Sequence, residues 1–313
     1  MKQLIKQYCL SLGLDCVGIA PPGPYPELAD RLKKRIDRGH SIEFDETDIL
    51  KRTTPQLIMA DVQSVIVCLF PYYIGQRKAA NVSKYTYSRD YHLIIKEKLA
   101  QIQTYLQSLL PDFKSQAFAD TGPLADRYLA YLAGLGFYGI NSCLITDKYG
   151  SYFFIGYLLT NVPFTPDTPL NHVCLQCGRC QAACPGQIIL DDFTIDPRGC
   201  KSYLTQKKAA LSPAEIAIIG KTPLVFGCDI CQDVCPHNRN IAVTPLAEFQ
   251  NDLLPVVRED ELAPLSNKEF RRLFGDRAFS WRGKQVLLRN LNITADQRSL
   301  LLSSKQTQQN RDK

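Results

Sequence analysis

CLQCGRCQAACPG, residues 174–186, decides how the rest of this chain is read. It places thiols at Cys174, Cys177, Cys180 and Cys184 with Pro185 directly behind, a C-x2-C-x2-C-x3-C-P run. A second run, CDICQDVCP, adds Cys228, Cys231 and Cys235 before Pro236, and Cys200 stands between the two. A [4Fe–4S] cube needs four thiolates around one compact cage. Three come from a tight C-x2-C-x2-C loop and the fourth arrives from elsewhere. In two-cluster ferredoxins the last cysteine of the run serves the other cluster. The same logic assigns Cys174, Cys177, Cys180 and Cys235 to cluster 1, and Cys184, Cys200, Cys228 and Cys231 to cluster 2. The two prolines stop helix continuation and help the chain cross between sites. Zinc ribbons use C-x2-C pairs and have no need of three close cysteines followed by Cys-Pro. Disulfides suit an oxidising compartment, whereas clustered cytosolic thiols read as metal-binding or catalytic.

A cluster pair carries single electrons and needs a second cofactor or a substrate beside it. The chain of 313 residues has room for one large domain or two smaller ones, and its 45% hydrophobic and 22% charged content is that of a globular protein. No apolar run approaches the ~20 residues of a membrane helix. The N-terminus, MKQLIKQYCLSLGL, spaces Leu4, Ile5, Tyr8, Cys9 and Leu12 as an amphipathic helix and lacks the apolar core of a signal peptide, so a cytoplasmic location is expected. Cys9, Cys16, Cys68 and Cys143 sit in apolar contexts and read as core. The net charge of +6 is modest. Its distribution says more: Lys268, Arg271, Arg272, Arg277, Arg282, Lys284 and Arg289 are interleaved with Phe270, Phe274, Phe279 and Trp281. That stretch is either a solvated helical face or a surface for a phosphate backbone with stacking groups.

The first ~165 residues alternate helical and strand patterns, which suggests a sheet covered by helices. Helices are expected over 2–13, 26–38, 90–110 and 124–135, and strands over 15–20, from Ser64 and over 115–120. CLIT (143–146) and SYFFIGYLLT (151–160) read as a hairpin turning at KYG. The expected organisation is an α+β chain: a catalytic domain over 1–165, a two-cluster ferredoxin-like domain over 166–243, a helical segment over 244–303 and a disordered polar tail over 304–313.

AGLGFYG matches G-x-G-x-x-G, but a helix precedes it and a strand follows, the reverse of a dinucleotide site; the glycines read as a helix cap and a tight turn. In FADTGPLADRYLA, Asp120 ends an apolar strand. It reads either as a general acid whose pKa burial raises, or as a cap of the next helix, with Pro123 in the first turn. YSRDYH groups Arg89, Asp90, Tyr91 and His92, where Arg89–Asp90 reads as a structural pair and a lone histidine as a structural one. Arg52 precedes a proline-bearing turn in LKRTTP.

Together, YSRDYH, ADTGP with the AGLGFYG turn, GSYFFIGYLLT, the eight-cysteine array, KSYLT after Cys200 and GCDICQDVCPHN resemble the epoxyqueuosine reductase family, in an order that covers the chain to about Ile293. The resemblance implies a nitroreductase-like cobalamin-binding α/β core beside the two-cluster module. It implies reduction of epoxyqueuosine to queuosine at the tRNA wobble position, with cobalamin reduced through two [4Fe–4S] clusters. It places the family's proton donor on Asp120 and its cobalamin contacts around Arg52, Ser83, Arg89, Asp90, Tyr91 and His92. The expected partners are the modified tRNA and a low-potential electron donor, with no membrane and a monomeric chain. Two departures stand out. Ile140 replaces a lysine usual after the glycine turn, and only VLLRNLNI (286–293) and a polar tail follow where the family continues into further helices that contribute to tRNA contact. Two rivals remain: a dehalogenase-like reductase of the same cofactor class, and a ferredoxin-type carrier that would bind no cobalamin.

Overall fold

The computed structural model describes residues 1–77 and 79–309, with side chains through 296. Its centre is a four-stranded antiparallel sheet of β1 (Val17–Ala20), β2 (Ser64–Pro71), β3 (Ser115–Ala119) and β6 (Phe153–Thr160), in the order β1-β2-β6-β3. Two short strands, β4 (Phe137–Tyr138) and β5 (Leu144–Ile145), pair separately. The expected hairpin between CLIT and SYFFIGYLLT therefore does not form: a single bridge pairs Thr146 with Gly150 of the intervening turn. β6 is apolar on both faces, so burial favours a central position with a strand on each edge. There, Gly156 pairs with Cys68 of β2 and Ala119 of β3.

Helices α1 (Lys2–Ser11), α2 (Pro26–Asp37), α3 (Ile49–Thr53), α4 (Tyr91–Leu109) and α5 (Asp126–Leu132) surround the sheet. Because strand side chains alternate between faces, β2 feeds two cores. Ile66, Cys68 and Phe70 join Ile5 and Cys9 of α1 and Ile94, Leu99 and Leu106 of α4. Val65, Val67 and Leu69 join Leu28 and Leu32 of α2 and Leu129 of α5 on the other side. Gly156 is required where α4 crosses the sheet, since a Cβ there would lie 2.6 Å from Ile95. Helix α5 is shorter than its expected 124–135, ending ahead of Gly134 at φ +66°.

The cysteine-rich part contains the short helices α6 (Arg179–Ala183), α7 (Lys201–Leu204), α8 (Pro213–Gly220) and α9 (Ile230–Asp233), followed by α10 (Glu259–Leu262), α11 (Asn267–Phe274) and α12 (Lys284–Gln309). A third core of Val82, Tyr87, Phe226, Val257, Phe270, Phe279 and Leu287 joins all three regions, and Val82 bridges Phe226 in parallel. A buried ion network reinforces this junction. Lys84 Nζ lies 2.6 Å from Asp233 and 3.6 Å from Asp229, and the Ser83 hydroxyl and Lys84 N–H donate to Asp229.

The basic–aromatic stretch resolves largely into structure. Phe270 and Phe279 are core, Arg277 is buried against Asp252 and the Tyr87 carbonyl, and Lys284 donates to the carbonyls of Ala263 and Leu265. Arg289 bonds the carbonyls of Leu204 and Lys207; Arg282 pairs with Glu43 between Phe44 and Trp281. Lys268, Arg271 and Arg272 remain exposed. Of the tail expected to be disordered, residues to Gln309 continue α12, and 310–313 lie outside the described residues. Among the described residues, no helix is long and apolar enough to cross a membrane.

Candidate active site

The eight thiols fall into two groups. Cys174, Cys177, Cys180 and Cys235 line one recess with Gly139, Ile140 and His237. Burial raises the pKa of Cys180, and the neighbouring Cys235 and Cys174 thiolates add to the rise. Burial does the same for Cys235, which also lies in the field of Cys174 and Cys177. In the second group, Cys200 interacts with Cys184, Cys228 with Cys200, and Cys231 with both Cys228 and Cys200. These neighbourhoods follow the division that the spacing suggests. Among the described residues, no three His, Cys, Asp or Glu side chains close to the distance of a single metal ion. Four thiols around a shared recess are the donor set a cube requires. Because burial keeps Cys180, Cys200, Cys228 and Cys235 protonated, loading a cluster must release protons. Cys143, expected as plain core, instead meets Cys231 and lies near Cys200 and Cys235, between the groups. Ile140, the residue that departs from the family's usual lysine, packs on Cys180 and Cys184.

The two groups differ in surroundings. Cys177 is the exposed thiol of the eight. The second group sits toward the sheet: Cys200 acts on Tyr85, which also feels Asp90 and Asp120, and Gly227 abuts Ser83 and Tyr85.

At the C-terminal end of β3, Asp120 adopts a left-handed backbone, φ 60°, which aspartate tolerates. Its Oδ2 accepts from Tyr91 Oη at 2.6 Å and lies 3.3 Å from His92 Nε2. Tyr91 is held flat between the Phe154 ring at 4.0 Å and the His92 ring at 4.1 Å. Asp90 caps α4 by accepting from the His92 N–H and also holds His92 Nδ1 at 2.8 Å. His92 is thus clasped between two carboxylates. Burial opposes its charging, but the hydrogen bonds to Asp120 and Asp90 win and push its pKa up to about 9. For Asp120, burial would raise the pKa, yet the contacts from His92 and Tyr91 hold it below the usual carboxylate value. The expectation of a protonated Asp120 is corrected: at neutral pH the proton of this pair resides on His92. The raised carboxyl of the neighbourhood is Asp126, where burial, with Asp120 adding, holds the pKa well above normal. Sequence reasoning passed over Asp126, although ADTGPLAD repeats an acid six residues on.

The remaining expected residues divide. Ser83 is fully buried and its hydroxyl is committed to Asp229; Arg89 pairs with Glu97 at 2.8 Å instead of with Asp90. Arg52 keeps a buried Nε without a partner, as does Asp126 Oδ1, and the buried Tyr157 Oη meets the Leu124 backbone. These three groups belong together, since Asp126 interacts with both Arg52 and Tyr157.

Residues 52–121 match a family profile described as "Epoxyqueuosine reductase QueG, DUF1730", and residues 173–238 match that of a 4Fe-4S double cluster binding domain. The epoxyqueuosine reductase of Bacillus anthracis is 35% identical over 303 residues, covering 93% of this chain and 78% of that one. The chain belongs to the epoxyqueuosine reductase family. The family's enzyme from Listeria monocytogenes is 36% identical, covering 94% of this chain and 79% of that protein. The structure of epoxyqueuosine reductase from Streptococcus thermophilus superposes with a TM-score of 0.85 at 31% identity, over 95% of this chain and 81% of that one. A family structure solved with an epoxyqueuosine-modified tRNA-Tyr stem loop gives 0.84 at 31% identity, over 94% and 80%.

Proposed function

We propose that this chain reduces epoxyqueuosine to queuosine in tRNA, with two [4Fe–4S] clusters and cobalamin. The observation that carries the reading is the Asp120–His92–Tyr91 constellation at the sheet mouth, beside the second thiol group, in a chain of this family. The residues present fit the cofactors. The two thiol groups offer four donors each. Arg52 and Asp126 offer buried polar atoms without a protein partner to the polar rim of a large ring. Cobalamin, when bound, supplies a strongly reducing cobalt for cleaving the strained C–O bond.

The chain's own residues handle the proton. Epoxide opening leaves an alkoxide. Asp120, 60% exposed and in the left-handed turn, is the group presented to it. Its proton comes from the His92 imidazolium 3.3 Å away, while Asp90 on Nδ1 fixes the ring and its tautomer. Tyr91 orients the carboxylate. General acid catalysis of this kind contributes about 10²–10⁴ in rate. On this reading cluster 1 lies outward at the exposed Cys177 and cluster 2 toward Tyr85, which Cys200 influences. We read 1–165 as the catalytic domain and 166–243 as the cluster domain, with 244 onward packing on their junction. A tRNA-modifying role fits a cytoplasmic enzyme. The exposed Lys268, Arg271 and Arg272 are the part of the basic stretch left for phosphate contact.

The test is anaerobic incubation of the reconstituted protein with epoxyqueuosine-containing tRNA, cobalamin and a strong reductant, then nucleoside mass spectrometry. Cobalamin-dependent queuosine is expected. A protein holding both clusters and cobalamin that yields none would overturn the substrate assignment.

A further inference from the structure

The surface around Cys177 has a character of its own. Residues 168–173 and 175–177 are exposed, and they include Val173 at 77% and Leu175 at 65% exposure, with Leu170 beside them. Apolar side chains this open, grouped on one loop, mark an interaction surface more than a core edge. The loop is pinned from behind rather than free. His172 and His237 both pack edge-on against Phe137, and Leu175, Pro236 and His237 share the recess of the first thiol group. Two arginines lie close by in the chain. Arg179 is two residues beyond Cys177, Arg239 two beyond His237, and both are exposed and form no ion pair among the described residues. Two acids lie nearby, Asp147 at 3.3 Å from His172 and Asp191 accepting from Gln181 at 2.8 Å, and neither pairs with an arginine. An apolar centre with unpaired cations at its border, over the exposed thiol of the outward group, has the composition of a transient electron-transfer interface.

We propose that the Leu170–Val173–Leu175 shelf, bordered by Arg179 and Arg239, docks a small acidic one-electron carrier protein. This rests on the reading of Cys174, Cys177, Cys180 and Cys235 as ligands of cluster 1. The carrier is oxidised by one electron, cluster 1 is reduced by one, and no bond is made or broken. Electron tunnelling falls steeply with distance, so the partner's redox group must come to the face where the cluster approaches the surface, and that face is here. The carrier's acidity follows from the two free guanidinium groups.

The probe is an acidic ferredoxin, used with the cluster-loaded full chain. Stopped-flow absorbance follows cluster reduction by reduced ferredoxin and, in parallel, by dithionite, which needs no docking face. Titration calorimetry gives the affinity at low and at roughly physiological salt, where the screening length shortens from about 30 Å to about 8 Å. The wild type is expected to bind at micromolar strength and to weaken about tenfold or more at the higher salt. The double variant R179E/R239E and, separately, Val173→Glu should lose about tenfold or more in ferredoxin affinity and reduction rate. Iron content and dithionite reduction should match wild type. Variants reduced by ferredoxin as fast as wild type would overturn the docking proposal. Displacement of ferredoxin by a tRNA anticodon stem loop would also overturn it, by assigning the face to RNA. Failure of the cluster reading looks different: the wild type itself would hold less than two clusters' iron.

Discussion

Replacing Asp120 by Asn tests where the catalytic proton is stored. The rise of His92 from 6.5 to about 9 amounts to roughly 3 kcal/mol in favour of the imidazolium, at about 1.4 kcal/mol per tenfold. Two carboxylates share this, Asp90 at 2.8 Å and Asp120 at 3.3 Å. The amide of Asp120→Asn keeps the shape but removes the charge of one of the two partners, the one whose hydrogen bond raises His92 most, so the His92 pKa should fall by about one unit or more, at about 1.4 kcal/mol per unit. The assay is an NMR titration of the imidazole nitrogens, with His92→Gln to assign the signal among the four histidines. Turnover should fall by about 10²–10⁴ while both clusters remain. The sign for stability follows from the raised pKa: the stabilisation is fully present below 6.5, the unfolded value, and is lost as pH rises through about 9. Turnover of the wild type should decline over the same alkaline limb. If His92 in Asp120→Asn still titrates near 9, Asp90 alone holds the proton and the relay through Asp120 is wrong.

Other expectations are equally direct. Lys84→Met leaves Asp229 and Asp233 without their buried cation and should cost on the order of 3–5 kcal/mol, seen as a lower urea midpoint. Asp126→Asn should be nearly neutral in stability at low pH. It should also flatten the pH profile, because a carboxyl whose pKa is raised by folding stabilises fully below its unfolded value and destabilises progressively as pH climbs toward the folded one. Cys177→Ser should halve the iron content while Cys143→Ser keeps all of it; unchanged iron in Cys177→Ser refutes the ligand division. Arg271→Ala with Arg272→Ala should weaken tRNA binding and reduce its salt slope by up to about 0.7–0.9 per lost phosphate contact. Equal slopes would leave the pair as ordinary surface.

The eight cysteines themselves stood out in the sequence because the C-x2-C spacings are local, written into the two runs and Cys200. The helices over 26–37 and 91–109 and the strand from Ser64 were legible for the same reason, through period and caps. What failed was decided at long range. β6 has no alternation to say whether it sits at an edge or in the centre, and its partners β2 and β3 lie far back in the sequence. Arg277, Arg282 and Arg289 look free in sequence because Asp252, Glu43 and the Leu204 carbonyl are remote. His92 looked structural for a like reason. Asp90 is a neighbour in the chain, but the second carboxylate arrives from the end of β3, so the double clasp exists only after the sheet forms. The pKa of Asp120 was misjudged because burial was weighed without these donors.

The Lys84 network also bears on biogenesis. Lys84 leaves the ribosome 145 residues before Asp229, so its ammonium has no buried counter-charge until the later segment is made. Asp229 lies between Cys228 and Cys231, in the segment that iron–sulfur assembly has to organise. The segment that carries Cys228, Cys231 and Cys235 is therefore also the one that delivers the two counter-charges to Lys84, so ordering the thiols and neutralising the lysine draw on the same stretch of chain.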